Sequence, residues 1–464
     1  MAGLTEASGA SRKVWIQTFG CQMNELDSGK MLRLLESDGY EAAHDVSDAD
    51  VILINTCSVR EKPEQKVRSL LGRYKTLKQQ NDELIIGVTG CYAQQAKGDL
   101  LRRFADLDLV MGPDAIPRLP ALLMDVRSNR TRELATEQLD RQDYPFTNDL
   151  VFREGHKVSA FVTVQKGCDN LCSFCIVPFT RGREVSRSAV DVIDEIRRLA
   201  GEGVREVTLL GQNVNSYGVK KTAEPPFHEL LARAADVEGI ARIRFTTSNP
   251  WDLDEGLISL YRDEPKITSY FHLPVQAGAD TMLSRMRRRH TRERYLELVA
   301  ALKEARPDIA LSTDIIVGFP GETEEEHQAT LSLLEAVRYD FIYSFKYSPR
   351  PYTGAVKNFD DDVPVDVKKR RLAEVQGLQR GITDSVLAGW VGHQVEVLVE
   401  GPSKRDPAWL AGRIGQNWMI NFKGNERLAG QLVQVTVTDA LSNSLAGEIV
   451  TRESTTRSSL PILS

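Results

Sequence analysis

Short β-rich runs alternate with longer amphipathic helical runs over most of this 464-residue chain. In the first series, the strand-like runs are VWIQTFG, ADVILINTCSV, ELIIGVTGCYA and LDLVMG. Parallel strands need a long crossover between them, so this alternation predicts βαβ units and a parallel sheet. We therefore expect residues 12–128 to form an open parallel α/β domain.

A second series contains six strand-like runs within residues 154–387. They are SAFVTVQKG, VREVTLLGQN, ARIRFTTS, SYFHLPVQ, IALSTDIIVGFPG and FIYSFKYS, with helical patterns between them that include a long helical region over 280–305. This number of strands is too small for a complete (β/α) barrel, so the pattern predicts a partial (β/α)6 barrel. Residues 127–150 lose the apolar periodicity and are predicted to be a linker.

The character of the chain changes after Trp390. The remaining runs, HQVEVLVEG, LAGRIGQNWMINF, GQLVQVTVTDA and LAGEIV, are β-rich and are separated by Gly, Pro and Asn. They predict a small antiparallel β-barrel over residues 388–454. The predicted fold class is thus α/β, with an all-β unit at the C-terminal end.

Composition narrows the class of protein. Hydrophobic residues make up 41% and charged residues 27% of the chain, as in an ordinary globular protein. No apolar stretch approaches the roughly 20 residues of a membrane span. The first 13 residues lack a secretory apolar core and are expected to be a flexible tail, which predicts a cytoplasmic protein. The net charge of −6 excludes a globally basic mode of nucleic-acid binding.

Three cysteines, Cys168, Cys172 and Cys175, follow the first predicted barrel strand in a C-x3-C-x2-C pattern. A closed zinc site and an ordinary four-iron cluster both take four protein ligands. Three thiolates leave one iron open to a small molecule, and this spacing resembles that of the radical S-adenosylmethionine enzymes. The alternatives are a zinc site with a distant fourth ligand, or thiols that only pack.

The other three cysteines, Cys21, Cys57 and Cys91, each lie at the carboxyl end of a predicted parallel strand. Such strand ends face one crevice of an open α/β sheet, so residues far apart in sequence converge there. We predict that they hold a second four-iron four-sulfur cluster, again with one iron unligated. The alternative is that each is a small buried hydrophobe.

With both cysteine sets placed, the sequence closely resembles the methylthiotransferases. The resemblance rests on TFGCQMNELDSGKM, INTCSVREKPEQKV, GVTGCYAQQ, QKGCDNLCSFCIVPFTRGREVSRS, LLGQNVNSYG, HLPVQAGA and STDIIVGFPGET, and on a C-terminal unit like the TRAM module. Within the family, NTCSVREKPEQKV and PFTRGREVSRS are most similar to the branch that acts on isopentenylated adenosine in tRNA.

The resemblance implies a reaction at carbon 2 of the isopentenylated adenosine next to the anticodon, on its 3′ side. One S-adenosylmethionine would donate a methyl group, and a second would be cleaved to the 5′-deoxyadenosyl radical. It also implies a tRNA anticodon stem-loop, an electron donor such as flavodoxin or ferredoxin, and a sulfur or cluster carrier protein as partners. No catalytic side chain beyond the two clusters is predicted.

Further site residues follow from the same resemblance. The barrel strands end at positions that are expected to bind S-adenosylmethionine, namely Gln212, Asn213, Gln276, Asp314, Gly318 and Glu322. GQN stands where many radical enzymes carry Gly-Gly-Glu, which leaves the contact to the amino group of the cofactor open. The alternative for GFPGETEEE is helix initiation, in which Thr323 and Glu326 form a capping box.

Basic and aromatic side chains are candidates for RNA contact, since phosphate contacts supply much of nucleic-acid affinity and loops expose bases for stacking. The alternatives are solvated helix faces and core packing. The predicted RNA-contacting residues are Arg181, Arg183, Arg187, Arg287, Arg288, Trp409 and Trp418.

Two other substrate classes stay open, threonylcarbamoyl-adenosine in tRNA and a ribosomal protein. A non-catalytic RNA-binding iron–sulfur protein is a third hypothesis. The seven histidines form no spaced pair typical of a metal site, and no Ser-His-Asp order is evident, which disfavours ordinary hydrolysis.

Overall fold

The computed structural model describes residues 11–58, 61–139, 144–146, 157–219 and 223–450. Most of the predicted N-terminal tail, part of the predicted linker and the predicted domain limits at 154 and 454 lie outside these ranges. Within the described residues, no helix is both long enough and apolar enough to cross a membrane.

The N-terminal region is built on a six-stranded sheet in which all pairings are parallel. In the order of the sheet its strands are β2-β1-β3-β4-β5-β6. In chain order they are β1 (Arg12–Phe19), β2 (Tyr40–Ala42), β3 (Val51–Thr56), β4 (Ile85–Thr89), β5 (Leu109–Met111) and β6 (Glu133–Ala135). The predicted parallel α/β architecture is confirmed.

Helices cover both faces of this sheet. The helices of this region are α1 (Gln22–Ser37), α2 (Glu61–Gln80), α3 (Gly90–Ala96), α4 (Gly98–Arg103) and α5 (Leu119–Asn129). Along β3, Val51 and Leu53 pack with residues of α1 and α5, whereas Ile52 and Ile54 pack with residues of α2. Successive strand residues point to opposite faces, so a strand covered on both sides is apolar throughout.

The two edge strands were not predicted. Strands β2 and β6 have only three residues each, and β6 reads ELA, within the predicted linker. The linker prediction was therefore wrong for residues 127–135, where α5 ends and β6 pairs with β5. A strand of three residues carries no alternation that sequence reasoning can detect, and only its pairing defines it.

The central region contains the six predicted barrel strands. They are β7 (Ser159–Thr163), β10 (Glu206–Leu210), β11 (Arg242–Phe245), β12 (Tyr270–His272), β13 (Ala310–Val317) and β14 (Phe341–Lys346), with β8 (Gln165–Lys166) and β9 (Val185–Ser186) as a short separate ladder. They form two parallel sheets, β11-β10-β7 and β12-β13-β14. A bridge between Ile243 and Ile267 joins them into the predicted partial barrel.

Helices follow the strands of this partial barrel, and the longer ones bury its outer face. They are α6 (Val177–Thr180), α7 (Ala189–Gly201), α8 (Phe227–Ala235), α9 (Glu255–Asp263), α10 (Asp280–Arg285), α11 (Arg292–Ala305), α12 (Glu324–Val337), α13 (Gly354–Asn358) and α14 (Val365–Ala388). The predicted long helix over 280–305 is interrupted, because Arg287 adopts φ +54° between α10 and α11. The predicted capping box of Thr323 and Glu326 begins α12.

The C-terminal region is a closed five-stranded barrel in the order β15-β16-β17-β19-β18. Its strands are β15 (Gln394–Pro402), β16 (Trp409–Ile414), β17 (Met419–Lys423), β18 (Leu432–Leu441) and β19 (Ser444–Ile449). The barrel was predicted to be antiparallel, and four of its pairings are, but β17 and β19 close it in parallel.

Arginines of β11 attach this barrel to the partial barrel. The guanidinium of Arg242 donates to the backbone oxygen of Arg413 at 2.6 Å, and that of Arg244 donates to the backbone oxygen of Ile414 at 2.9 Å. Arg244 is buried and also pairs with Glu206 at 2.8 Å. The end of β16 is thereby held against the inner side of the central strands.

Candidate functional site

The N-terminal cysteines follow three neighbouring strands of the sheet. Cys21 comes after β1, Cys57 directly after β3, and Cys91 in the first turn of α3 after β4. Gly20 permits the close approach of the first two loops. It has φ +137°, and a Cβ atom added to it would lie 2.4 Å from the Cβ of Cys57. The convergence predicted from strand ends is present.

Two buried asparagines fix the loops around these cysteines. The side-chain amide of Asn24 donates to Oδ1 of Asn55 at 3.1 Å, and that of Asn55 donates to the backbone oxygen of Asn24 at 2.8 Å. The thiol of Cys21 lies 3.5 Å from Oδ1 of Asn24. Hydrogen bonds of this kind orient the ligands of a metal site.

The surroundings shift the pKa values of two N-terminal thiols in opposite directions. A hydrogen bond with the Cys57 side chain, helped by the charge of Arg181, lowers the pKa of Cys21 to about 6 against the cost of burial. Burial raises the pKa of Cys91, although Arg181 opposes this. Iron–sulfur clusters bind thiolates, so the arginine favours the form of both residues that ligates.

The three-cysteine loop begins directly after β8 in the central region. Gly167, at φ +74°, lets this loop turn, since a Cβ there would lie 2.1 Å from the backbone oxygen of Arg183. Burial raises the pKa of Cys168 to about 12 and raises that of Cys175 as well. Neutral thiols are therefore favoured until a metal centre compensates the charge of the thiolates.

One arginine contacts each cysteine set. Nε of Arg181 donates to Sγ of Cys91 at 3.2 Å, and the same guanidinium pairs with Asp27 at 2.6 Å. Nη1 of Arg288 donates to Sγ of Cys172 at 3.4 Å and its Nη2 to the backbone oxygen of Pro274 at 2.6 Å. The sequence predicted that both arginines contact RNA, whereas in the structure they contact cysteine sulfurs.

These two sets fit iron–sulfur clusters by the chemistry of their donors. Across the described part of the chain, no three His, Cys, Asp or Glu side chains are grouped as ligands of a single metal ion. In a four-iron cluster each thiolate binds a different iron, which spaces the sulfurs more widely than a zinc ion does. In each set, thiols that are at least partly buried lie beside an arginine and a close-packed glycine, which suits such a cluster.

A cavity of about 420 Å³, here called the chamber, lies where the three regions meet. Beside it is a cavity of about 130 Å³, here called the side cavity, which is lined by Cys175 and Gln276. Asp314 and Phe345 line both cavities. The chamber is further lined by Cys21 and Cys57 of the N-terminal region, Arg244, His272 and Tyr343 of the partial barrel, and Arg413 and Asn417 of the C-terminal barrel.

Several walls of the chamber were not predicted. Tyr343 and Phe345 alternate along β14 and both line it, as do Tyr270 and His272 along β12. In a strand, residues two apart share a face, so the residues at these positions point into the barrel. Period-two alternation of aromatic residues in the predicted strands is the signal that would have found them.

The predicted S-adenosylmethionine residues fall into two groups. Asp314 and Gln276 line the side cavity, and Gln276 adopts φ +82°. Gln212 accepts a hydrogen bond from the backbone N–H of Gly167, next to Cys168. The backbone N–H of Asn213 donates to Oε1 of Gln165 at 3.1 Å.

Gly318 and Glu322 form the second group. The carboxylate of Glu322 accepts from the backbone N–H of Gly318 at 2.6 Å and pairs with Arg371 of α14 at 2.8 Å. A Cβ on Gly318 would lie 2.3 Å from Cγ of Lys368, also in α14. These contacts join the loop after β13 to the last helix of the central region, and neither residue lines the chamber or the side cavity.

Known families match successive parts of the chain. The match is to uncharacterized protein family UPF0004 over residues 13–112, to the Radical SAM superfamily over 162–334 and to the TRAM domain over 390–450. A tRNA-2-methylthio-N(6)-dimethylallyladenosine synthase of Myxococcus xanthus is 51% identical over 95% of this chain and 94% of its own. The protein of the same name from Geobacter metallireducens is 49% identical over 94% of this chain and 98% of its own. The chain belongs to this synthase family.

Solved structures share the fold of this member of the synthase family. A radical S-adenosylmethionine methyltransferase from Kitasatospora setae, with tryptophan substrate and a SAM analog bound, matches 74% of this chain and 75% of its own, with a TM-score of 0.55 and 17% identity. A cobalamin-dependent S-adenosylmethionine radical enzyme matches 80% of this chain and 56% of its own, with a TM-score of 0.50 and 11% identity. At these identities the likeness concerns the fold alone.

The predicted RNA-contacting arginines differ in exposure. In this synthase-family chain, Arg187 is buried and pairs with Glu195 at 2.5 Å. Arg183 is 65% exposed at its side chain and pairs with Asp169 at 2.6 Å. Arg287 is exposed. Of these three side chains, only those of Arg183 and Arg287 face solvent.

The two predicted stacking residues also differ. Trp418 is buried in the core of the C-terminal barrel, and its ring meets that of Phe341 edge-on at 5.4 Å. Trp409 is half-buried, and the ammonium of Lys423 lies 5.7 Å from the centre of its ring. Trp418 thus packs between the C-terminal barrel and β14, and Trp409 keeps a partly exposed ring beside a cation.

Proposed function

We propose that this protein adds a methylthio group to carbon 2 of the isopentenylated adenosine on the 3′ side of the anticodon in tRNA. The observation that carries the proposal is the meeting of both cysteine sets at adjoining cavities. Cys21 and Cys57 line the chamber, Cys175 lines the side cavity, and the two cavities share Asp314 and Phe345. Relatives about half identical over nearly the whole chain bear the name of this activity.

The cofactors of this family are two 4Fe–4S clusters and S-adenosylmethionine, which supply when bound a carbon radical, a methyl group and the sulfur to be transferred. We assign Cys21, Cys57 and Cys91 to one cluster and Cys168, Cys172 and Cys175 to the other. Gln276 and Asp314 are the residues that would hold S-adenosylmethionine beside Cys175, since they line the same cavity. Gln212 and Asn213 lie at the entrance of the cysteine loop and support it.

The chain itself contributes position and exclusion of water. Aromatic side chains of Tyr270, Tyr343 and Phe345 wall the chamber, which suits a flat base with an apolar isopentenyl group. Arg413 and Asn417 bring the C-terminal barrel to the same chamber. The base and the barrel that would grip its RNA therefore meet at one opening.

For RNA contact we retain Arg183, Arg287 and Trp409, whose side chains reach solvent at least in part. Exposed arginines suit phosphate oxygens, and a partly open ring suits an unstacked base. We further propose an electron donor such as flavodoxin or ferredoxin and a sulfur or cluster carrier protein as partners, because the reaction consumes electrons and sulfur. We also propose a cytoplasmic location, because tRNA is the substrate.

Mass spectrometry of nucleosides tests the proposal. The protein, reconstituted anaerobically with iron and sulfide, is incubated with S-adenosylmethionine, a reductant and tRNA from a strain that lacks this gene. We expect isopentenyl-adenosine to be converted to its methylthio form and 5′-deoxyadenosine to be released. Release of 5′-deoxyadenosine with modification of threonylcarbamoyl-adenosine or of a ribosomal protein would instead support one of the other substrate classes.

The Cys57→Ala variant separates the roles of the two sets. If Cys57 belongs to the N-terminal cluster, the variant keeps releasing 5′-deoxyadenosine but inserts no sulfur. A variant that methylthiolates at the wild-type rate would remove Cys57 from the site. Absence of 5′-deoxyadenosine from fully reconstituted wild type would leave only the hypothesis of a non-catalytic RNA-binding protein.

A further inference from the structure

Arg181 belongs to the central region but its side chain enters the N-terminal site. It follows the short helix α6, where its backbone N–H donates to the oxygen of Val177 at 2.8 Å. Its guanidinium is only 5% exposed and reaches three N-terminal residues. These are Cys91, Asn24 and Asp27, at 3.2, 3.4 and 2.6 Å.

Burying this charge requires a specific reason. A buried ion pair repays its desolvation only with good geometry and additional hydrogen bonds, and an apolar pair of the same volume is often as stable. The carboxylate of Asp27 compensates the guanidinium but accounts for only one of its contacts. Nε points instead to the sulfur of Cys91, which a purely structural pair would not need.

A second ion pair nearby does not change the balance of charge. Lys166 and Asp114 are buried and lie 2.7 Å apart, and they neutralise one another. In the site itself, the guanidinium of Arg181 donates to a cysteine sulfur, and the carboxylate of Asp27 pairs with that guanidinium. In that pair the cation is the member that touches a cysteine.

We propose that Arg181 is a positioning residue that holds the Cys91 thiolate and raises the reduction potential of the N-terminal cluster. This inference rests on the proposed function, because it assumes that Cys21, Cys57 and Cys91 ligate that cluster. Reduction adds one electron and hence one negative charge to a centre that already carries three thiolates. A buried cation hydrogen-bonded to one of the sulfurs favours the reduced form, since net charge and such bonds set cluster potentials.

Removing the cation and removing the carboxylate of this ion pair should shift the reduction potential of the cluster in opposite directions. Arg181→Gln removes the cation and leaves the carboxylate, so the potential should fall. Asp27→Asn removes the carboxylate and leaves the cation, so the potential should rise. We expect each to shift the ratio of reduced to oxidised cluster at least tenfold, or about 59 mV for a one-electron couple. A residue that only held the fold together would give no such reversal of sign.

The measurement is a redox titration followed by electron paramagnetic resonance. The full chain carries alanine at Cys168, Cys172 and Cys175, so that only the N-terminal cluster remains, and iron is counted in every sample. Arg183→Gln is the matched control, because it removes an exposed arginine two positions away, and its potential should stay unchanged. The double variant Arg181→Gln with Asp27→Asn should lie between the two single variants.

The outcomes separate this inference from the function on which it rests. If the triple-alanine protein binds no iron, the assignment of Cys21, Cys57 and Cys91 fails, and the inference falls with it. If it binds about four irons but the two single variants shift the potential in the same direction or not at all, the role of Arg181 alone is refuted. Should Arg181→Gln fail to bind iron, a rise in potential in Asp27→Asn still supports the inference and its absence overturns it.

Discussion

Replacing Gly20 by alanine should damage the N-terminal cysteine site far more than its small size suggests. A methyl group at this position would lie 2.4 Å from the Cβ of Cys57, well inside contact distance. Overpacking of this kind costs about 1–3 kcal/mol. The φ of +137° adds about 1–3 kcal/mol of backbone strain for a residue with a side chain. The sum, about 2–6 kcal/mol, is a large part of the stability of a typical domain.

Gly39→Ala is the matched control for this variant. Gly39 lies in the same region at φ +85°, but a Cβ there would meet no atom within 4 Å. It should therefore cost only the backbone strain, about 1–3 kcal/mol as at Gly20. The difference between the two variants isolates the contact with Cys57.

Two assays decide the matter. Urea unfolding compares the stability of Gly20→Ala and Gly39→Ala, and iron counting compares their clusters. We expect Gly20→Ala to be the less stable by about 1–3 kcal/mol and to lose the N-terminal cluster while the central one remains. If the two variants unfold alike and bind equal iron, the close approach of Gly20 to Cys57 does not shape the site.

Three further predictions concern side chains whose burial separates structural from functional roles. Arg187→Met should lower the free energy of unfolding by about 3–5 kcal/mol, because it leaves the carboxylate of Glu195 buried and without its arginine. Arg183→Met should cost clearly less, because Asp169 still accepts from the backbone N–H of Glu184, and it should reduce the salt dependence of tRNA binding; equal stability of the two variants in urea would argue against this. Trp418→Ala should lower the free energy of unfolding by about 3–5 kcal/mol. Trp409→Ala should lower it clearly less but should weaken tRNA binding; the reverse order of the urea midpoints would contradict the placement of both rings. Burial, with the charge of Arg288 nearby, lowers the pKa of His290 to about 3. The unfolded state therefore binds the proton at a higher pH than the folded state, and the free energy of unfolding falls as the pH drops from about 6.5 towards 3. His290→Phe should lose this part of the pH dependence, and an unchanged pH profile of stability would refute the prediction.

The placement of the cysteines was predictable because topology determines it. Once β1, β3 and β4 are recognised as neighbouring parallel strands, the residues after them must meet at one edge of the sheet. Cys21, Cys57 and Cys91 do so although more than 30 residues separate each from the next. Gln276 lies next to Asp314 for a similar reason, because it forms a parallel backbone bridge with Ile315, the residue after Asp314 in β13.

Burial of charge was not predictable from local sequence. Arg181, Arg183 and Arg187 stand in one short basic stretch, PFTRGREVSRS, yet only Arg183 is exposed. Arg181 and Arg187 find their carboxylates on α1 and α7, respectively, and a pattern within the stretch carries no trace of either partner. Likewise, Trp418 is buried because β14 lies against it, which only the packing of two regions decides.

The two clusters are proposed to lie at adjoining cavities, and their magnetic interaction tests this placement most directly. Electron paramagnetic resonance is recorded on reduced wild type and on two triple-alanine variants, one of Cys21, Cys57 and Cys91 and one of Cys168, Cys172 and Cys175. We predict that wild type shows a spectrum broadened by coupling between the two reduced clusters. A wild-type spectrum equal to the sum of the two variant spectra would contradict the placement of the two clusters at adjoining cavities.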